Sequence, residues 1–221
     1  MSRSLRFARV PLALGLILVL AVCQPRPEST SLLNPSPAEL AQAAPDSFTV
    51  LFETSKGRFT VQAHRAWAPL GVDRLYFLTK NGYWDGVRFF RVLPNFVVQF
   101  GIHGDPKISD AWKGRTIADE PVKQSNQAGF LTYAMGGPNT RTTQIFINKR
   151  DNSRLDSLGF APIGKVIDGM HVVEQLYGGY GEGSPRGGGP DQERIRLQGN
   201  SYLERQFPRL DSIVKARIVK N

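Results

Sequence analysis

The chain has 221 residues, of which 41% are hydrophobic, and it carries a formal net charge of +9 at pH 7. This length suffices for one large or two small domains with a core of ordinary size. The basic residues are scattered without a run of five, which favours a mildly basic, solvated surface over a nucleic-acid interface. Because there is a single cysteine, an intramolecular disulfide is excluded and stability must come from packing.

The amino terminus has the pattern of an export signal. Three arginines within residues 3–9 precede an uncharged run of 13 residues, Val10 to Val22. A membrane-spanning helix needs about 20 apolar residues, so the run fits the hydrophobic region of a secretory signal better. It ends at Cys23, and Leu20 to Cys23 resembles the lipobox of bacterial lipoproteins, with Val22 where a small residue is usual.

We therefore predict that residues 1–23 are a signal peptide and that Cys23 is lipidated. The protein would be exported and held in the periplasm or cell envelope by this lipid anchor. Cleavage without lipidation and an uncleaved anchor are the alternatives. Removal of the leader takes away three of the nine net charges and leaves six.

Residues 24–46 contain five prolines among Ser, Thr, Gln and Ala, without sustained apolar periodicity. This composition predicts a tether with a mean reach of roughly 25 Å. Residues 47–221 would then form the folded domain, working just off a membrane surface.

The folded domain begins with two alternating runs. Phe48 to Phe52 and Phe59 to Ala63 each alternate apolar and polar residues, and Ser55-Lys56-Gly57 lies between them. This pattern predicts a β-hairpin with one buried face. A helix is predicted over Pro69 to Asn81, because its apolar residues have helical spacing and Gly82 follows as a stop.

The remaining pattern alternates strands, loops and helices. A polar loop is predicted over residues 102–126, and a second helix is expected to open at Asp168 with His171 facing solvent. The glycine-rich segment, residues 177–190, lacks the spacing of a nucleotide-binding loop and is interpreted as flexible. Further strands are predicted near residues 129–134, 144–148, 160–166 and 214–218, and a helix interrupted at Gly199 over 192–206. Strands at both ends favour a sheet that closes on itself.

One stretch, Phe89 to Gln99, combines an arginine and an amide with apolar residues. Pro94-Asn95 divides it into two strand-like runs, which predicts strand, tight turn and strand. Because alternate residues of a strand share a face, Phe89 and Arg91 are expected to point the same way, as are Val97 and Gln99. The alternative is an ordinary hairpin whose polar residues face solvent.

The sequence lacks the residue patterns expected for a metal site or for covalent hydrolysis. The three histidines, at positions 64, 103 and 171, have no metal-ligand spacing and no accompanying carboxylate cluster. The G-x-S-x-G motif is absent, and the single cysteine lies in the leader. We therefore expect no metal, no cofactor and no covalent hydrolytic mechanism.

Three blocks together resemble one family: Phe89 to Gln99, Ala134 to Ile147 and Leu155 to Val166. With them in this order, the chain is similar to cyclophilin-type peptidyl-prolyl isomerases of the bacterial exported form, from about Ser47 to Val219. The resemblance implies a mainly β fold, a closed eight-stranded antiparallel barrel capped by two helices, with the substrate groove on its outer wall. This chain adds a C-terminal helical segment. The expected partners are Xaa-Pro polypeptides, and the expected state is a monomer.

The resemblance also implies site residues. Arg91 matches the catalytic arginine of the family, and Gln99 matches its groove glutamine. Residues that match the apolar wall and the rim of the proline pocket are Phe96, Val97, Phe146 and Leu155 for the wall and Ala134 and Met135 for the rim.

The chain departs from the family pattern at several groove positions. Val97 and Met135 stand for a methionine and an asparagine, Phe160 replaces a groove histidine, and Arg154 replaces a tryptophan associated with cyclosporin binding. The segment 100–104 is longer than usual beside Gln99. The altered rim suggests an alternative function, a binding module that holds proline-containing segments without depending on catalysis.

Overall fold

In the computed structural model, which describes residues 30–219, eight strands form one antiparallel sheet in the order β3-β4-β6-β5-β7-β2-β1-β8. The strands are β1 Ser47–Thr54, β2 Gly57–His64, β3 Arg91–Val92, β4 Val97–Phe100, β5 Phe130–Tyr133, β6 Ile145–Asn148, β7 Pro162–Asp168 and β8 Ile213–Val219. Each of the strands predicted from the alternation patterns is present, with bounds shifted by a few residues.

The sheet closes where the chain approaching β3 meets the start of β8. The amide of Phe89 donates to the carbonyl of Asp211 over 3.0 Å, and the amide of Ile213 donates to the carbonyl of Val87 over 2.8 Å. These bonds join the two ends of the strand order. The prediction of a mainly β fold with eight antiparallel strands is therefore confirmed, and the sheet curls until its two ends meet at a single bridge between Arg88 and Ser212.

The first hairpin shows how the barrel interior forms. Val50 pairs with Val61 and Phe52 with Phe59 across β1 and β2, and all four side chains are fully buried. The rings of Phe52 and Phe59 stack with their centroids 4.8 Å apart. The alternation read from the sequence is the buried face of this hairpin.

The helices agree only in part with the predictions. Helix α3, Pro69–Lys80, lies where it was expected, and α5, Met170–Glu174, is shorter and begins after Gly169, with His171 exposed. The prediction of an unbroken polar loop over residues 102–126 is wrong, because it contains α4, Pro106–Lys113, whose first turn is capped by the carboxylate of Asp105.

The C-terminal helical segment consists of α6, Gln192–Gln198, and α7, Asn200–Gln206. The break falls at Gly199, as predicted, where φ is +60° and ψ is −149°. A side chain at this position would collide with the carbonyl of Gly104. These helices enclose a separate hydrophobic cluster, called here the second core, made of Phe90, Ile102, Ile195, Tyr202, Leu203, Phe207 and Leu210.

Residues 30–46 differ from the tether predicted for 24–46. They form two short helices, α1 Thr30–Leu33 and α2 Pro37–Leu40, and Ser36 and Glu39 make a capping box at α2. Leu32 is buried in the main core, and its carbonyl accepts a 2.8 Å bond from the indole of Trp112. The described part of the predicted tether is therefore docked on the barrel.

The predicted signal peptide and the lipidation site, Cys23, lie outside the described residues. Between residues 30 and 219, no helix has both the length and the apolar character needed to cross a membrane.

Candidate active site

Arg91 and Gln99 are brought together by the pairing of β3 with β4. The two residues lie directly opposite each other in the ladder, so their side chains emerge on the same face. The Nη1 of Arg91 donates to the Oε1 of Gln99 over 3.0 Å, and the Nε2 of Gln99 donates to the Oε1 of Gln144 over 2.9 Å. Gln144 was not among the predicted site residues, although it alternates with Phe146 toward β6.

The expectation about shared faces is met for one pair and wrong for the other. Val97 and Gln99 both line the groove. Phe89 instead packs in the main core, while Arg91 faces the groove. The reason is that β3 begins only at Arg91, so the strand alternation does not extend back to Phe89.

Beside this polar pair lies an apolar pocket. Val97, Phe146 and Leu155 form a buried cluster, with 2%, 5% and 7% of their surfaces exposed. The rings of Phe146 and Phe160 meet edge to face, with centroids 5.9 Å apart. The cavity over the cluster measures about 370 Å³. It is lined by all nine predicted groove residues: Arg91, Phe96, Val97, Gln99, Ala134, Met135, Phe146, Leu155 and Phe160.

Two cations flank the ring of Phe96. The guanidinium carbon of Arg154 lies 4.9 Å from the ring centroid, and that of Arg91 lies 5.6 Å from it. Arginine packs well on aromatic faces because its planar charge is weakly hydrated. Arg154, at the position where the sequence comparison expected a tryptophan, therefore packs on Phe96 and adds a positive charge beside the groove.

A buried polar network supports the groove from behind. The Nδ2 of Asn152 donates to the carbonyl of Phe96 over 3.0 Å, and the Nδ2 of Asn126 donates to the carbonyl of Phe160 over 2.7 Å. Asn126 also donates to Asp156 through its side chain and its backbone amide. Burial works to raise the pKa of Asp156, but hydrogen bonds from Ser125 and Asn126 outweigh it and lower the pKa.

The segment 100–104, which is longer than is usual in the family, packs against the second core. Ile102 is one of its buried members, and the carbonyl of Gly104 accepts a 2.9 Å bond from the amide of Asn200. His103 is held in this loop, where its Nδ1 accepts a bond from the amide of Asp105. Burial lowers the pKa of His103. The extra residues thus attach the C-terminal helices to the barrel beside Gln99.

The glycine-rich segment, residues 177–190, supplies the opposite wall of the groove. Glu182 forms a two-bond ion pair with Arg91, at 2.7 Å from Nε to Oε1 and 2.8 Å from Nη2 to Oε2. These hydrogen bonds from Arg91 lower the pKa of Glu182. The sequence-based interpretation of a flexible loop missed this wall, because nothing local in the sequence indicates an ion pair across 91 positions.

No cluster of three or more histidine, cysteine or acidic side chains suited to a metal occurs within residues 30–219. The groove chemistry that the described residues offer is a guanidinium fork paired with a carboxylate, two carboxamides and an apolar pocket. Such a set can bind a neutral amide and donate hydrogen bonds to it. The fold and groove together define a class of protein, eight-stranded antiparallel barrels with a partly apolar groove on their outer wall.

The family follows from comparison with known proteins. The family model described as "Cyclophilin type peptidyl-prolyl cis-trans isomerase/CLD" matches residues 49–195. The chain therefore belongs to the cyclophilin-type peptidyl-prolyl isomerase family.

Relatives and solved structures agree with this assignment. Peptidyl-prolyl cis-trans isomerase-like 1 of Rhizopus delemar is 35% identical over 130 residues, which cover 58% of this chain and 78% of the relative. A peptidyl-prolyl cis-trans isomerase of Acinetobacter baylyi is 31% identical over 133 residues, covering 58% and 70%. A crystal structure of a Cryptosporidium parvum cyclophilin matches the fold with a TM-score of 0.58 at 21% identity, covering 79% of this chain and 99% of that one.

Proposed function

We propose that this protein accelerates cis/trans isomerisation of Xaa-Pro bonds in exported polypeptides as they fold outside the cytoplasmic membrane. Membership of the family supports the isomerase activity. The single observation that carries the proposed mechanism is the position of Arg91, at the edge of an apolar pocket lined by Val97, Phe146 and Leu155. One of the matched solved structures is described as determined in the presence of the dipeptide Ala-Pro.

The barrier to be lowered comes from amide resonance. Rotation about a peptide bond costs roughly 18–20 kcal/mol, and uncatalysed Xaa-Pro exchange takes tens to hundreds of seconds. In the twisted transition state the prolyl nitrogen becomes pyramidal and regains a lone pair. A hydrogen-bond donor directed at that nitrogen stabilises the twisted form more than the planar one, which is what catalysis requires.

Arg91 has donors left for this purpose. An arginine carries five N–H groups, and three of those on Arg91 donate to Glu182 and Gln99. One N–H remains on each terminal nitrogen. The apolar pocket contributes as well, because a planar amide is more dipolar than a twisted one and loses more on leaving water.

The test is the rate of Xaa-Pro exchange in a model peptide, measured with the chain from residue 24 onward, which keeps the docked residues 30–46. Wild type should accelerate exchange, and Arg91→Ala should lower kcat/KM by about 10²- to 10³-fold. Arg91→Lys should also be poor, because an ammonium cannot reproduce the planar fork. Absence of acceleration by wild type would refute the proposed activity.

The second candidate is a binding module for proline-containing segments. It is favoured by the altered rim, where Arg154 and Met135 replace the residues usual in the family, and by the long glycine-rich segment that lines the groove. The same variant separates the two functions. Peptide binding that survives Arg91→Ala, together with full function of that variant in cells, would support binding over catalysis.

The exported location rests on the sequence of the leader. We propose that Cys23 is lipidated and that the domain works at a membrane surface. Wild-type protein should incorporate a labelled fatty acid and fractionate with membranes in a bacterial host, whereas Cys23→Ala should lose both properties. Equal membrane association of the two proteins would favour an uncleaved anchor, and soluble wild type would favour plain cleavage.

A further inference from the structure

The glycine-rich segment is held in a defined path by its own backbone. The amide of Gly189 donates to the carbonyl of Glu182 over 2.9 Å, and the amide of Gly187 donates to the carbonyl of Gly183 over 3.1 Å. Glycine is needed at the crossing, because a Cβ on Gly189 would lie 2.8 Å from the carbonyl oxygen of Glu182. The path places the Glu182 side chain toward the groove.

The second core fixes this path relative to the barrel. The ring of Tyr180 meets the rings of Phe207 and Tyr177 edge to face, at centroid distances of 5.0 and 5.1 Å. At the other end of the segment, the amide of Asp191 donates to the hydroxyl of Tyr202 over 3.1 Å. Residues of the C-terminal helical segment thus anchor the chain on both sides of Glu182.

The contact with Arg91 is specific in geometry. Both carboxylate oxygens of Glu182 accept bonds, from Nε and from Nη2, and Gln99 accepts from Nη1. The ion pair is partly shielded, with 15% of the Arg91 side chain and 30% of the Glu182 side chain exposed. Two-bond arginine–carboxylate pairs fix the plane of the guanidinium as well as its position.

The segment lines the groove without filling it. A cavity of about 370 Å³ remains between the segment and the apolar cluster. The carboxylate of Glu182 therefore leaves the apolar pocket open and leaves one N–H on each terminal nitrogen of Arg91 without an intramolecular acceptor.

We propose that Glu182 is a positioning residue for Arg91, which holds the guanidinium in the orientation that catalysis uses. This inference rests on the proposed isomerase activity of the groove. If the Arg91 side chain is already fixed before the substrate binds, no conformational entropy is lost in fixing it during the reaction. The effect of positioning is therefore expected in kcat. In this chain a carboxylate from outside the barrel performs that task.

The test compares kcat and KM of the wild-type chain with those of Glu182→Gln and Glu182→Asp in a protease-free exchange assay. Glu182→Gln should lower kcat about tenfold or more while KM changes by less than about twofold, since the apolar pocket is intact. Glu182→Asp keeps the charge with a shorter reach and should restore part of the loss. Glu174→Gln, an exposed position on α5, is the matched control and should behave as wild type.

A double-mutant cycle shows whether Glu182 acts through Arg91. In the Arg91→Ala background, Glu182→Gln should have no further effect, because its target is gone. An unchanged or increased kcat in Glu182→Gln alone would overturn the inference while leaving the activity established, and an increase would indicate that the segment restrains the enzyme. Equal losses in both backgrounds would also overturn it. If wild type itself fails to accelerate exchange, the proposed function fails and the inference fails with it.

Discussion

The two walls of the groove are built in different ways. On the barrel side, β4 is hydrogen-bonded to β3 and to β6, so Val97 and Gln99 are fixed by ladders on both edges. On the opposite side, Glu182 lies in a glycine-rich segment without a ladder and is held by turns and by the second core. The pocket is part of the barrel, whereas the partner of Arg91 depends on the C-terminal helices.

This difference implies that pocket shape and arginine orientation have separate structural supports. Regions of one protein can open with different free energies, according to their buried contacts and hydrogen bonds. We therefore expect the glycine-rich wall to loosen under conditions that leave the apolar pocket intact. A matched pair of phenylalanine truncations, one in each core, tests this expectation.

Phe52→Ala should have the larger effect. Phe52 is fully buried in the main core, between the rings of Phe59 and Phe100. Removing its ring should lower the free energy of unfolding by about 3–5 kcal/mol, which urea titration would measure. Because loss of the main core lowers the stability of the whole fold, hydrogen exchange should accelerate in the β1–β2 hairpin and in the glycine-rich segment together.

Phe207→Ala should have a smaller and more local effect, because Phe207 is 9% exposed and packs on Tyr180 and Tyr202 in the second core. The loss of unfolding free energy should not exceed about 3 kcal/mol. Amides such as that of Gly189 should lose protection, and kcat should fall, while the β1–β2 hairpin stays protected. Equal exchange in both regions would show that the two cores unfold as one unit.

The barrel wall was largely predictable from the sequence. The alternation of Phe48 to Phe52 and of Phe59 to Ala63 indicates a sheet with one buried face. By the same rule, Val97 and Gln99 lie on one face of β4, and both line the groove. The nine groove residues came from the family resemblance, and the structure brings all of them to one cavity. Their individual roles stay predictions.

The other wall could not be read from local patterns. Glycine-rich sequence is compatible with a flexible loop and with a tightly folded one, and only contacts with distant residues decide between them. The Arg91–Glu182 pair and the anchoring of Tyr180 on Phe207 are such contacts. Residues 30–46 were mispredicted for the same reason, because their docking depends on contacts with distant residues. Leu32 is buried beside Trp112, and no periodicity in the sequence indicates this contact.

Acid should weaken the barrel wall through Asp156, and this is the smallest effect we predict. Its two oxygens accept bonds from the hydroxyl of Ser125 at 2.5 Å and from the amide and side chain of Asn126 at 2.9 and 2.8 Å. Burial opposes ionisation, but these bonds outweigh it, so the pKa of Asp156 is lower in the folded protein than in the unfolded chain.

A lowered pKa fixes the sign of the pH dependence. The stabilisation is fully present above the unfolded aspartate pKa, about 3.9, and is lost as pH falls through the folded value. Asp156→Asn should cost about 1–2 kcal/mol of unfolding free energy at neutral pH, and its stability should fall less steeply than that of wild type in acid. Asp110→Asn, at an exposed site, is the control for loss of a surface carboxylate and should change the free energy of unfolding at neutral pH by less than about 0.5 kcal/mol. Because neutral donors hold Asp156 whereas a cation holds Glu182, added salt should leave the Asp156 contribution unchanged and weaken the Arg91–Glu182 pair. Equal salt sensitivity of the two contributions would contradict this assignment of neutral donors to Asp156 and of a cationic donor to Glu182.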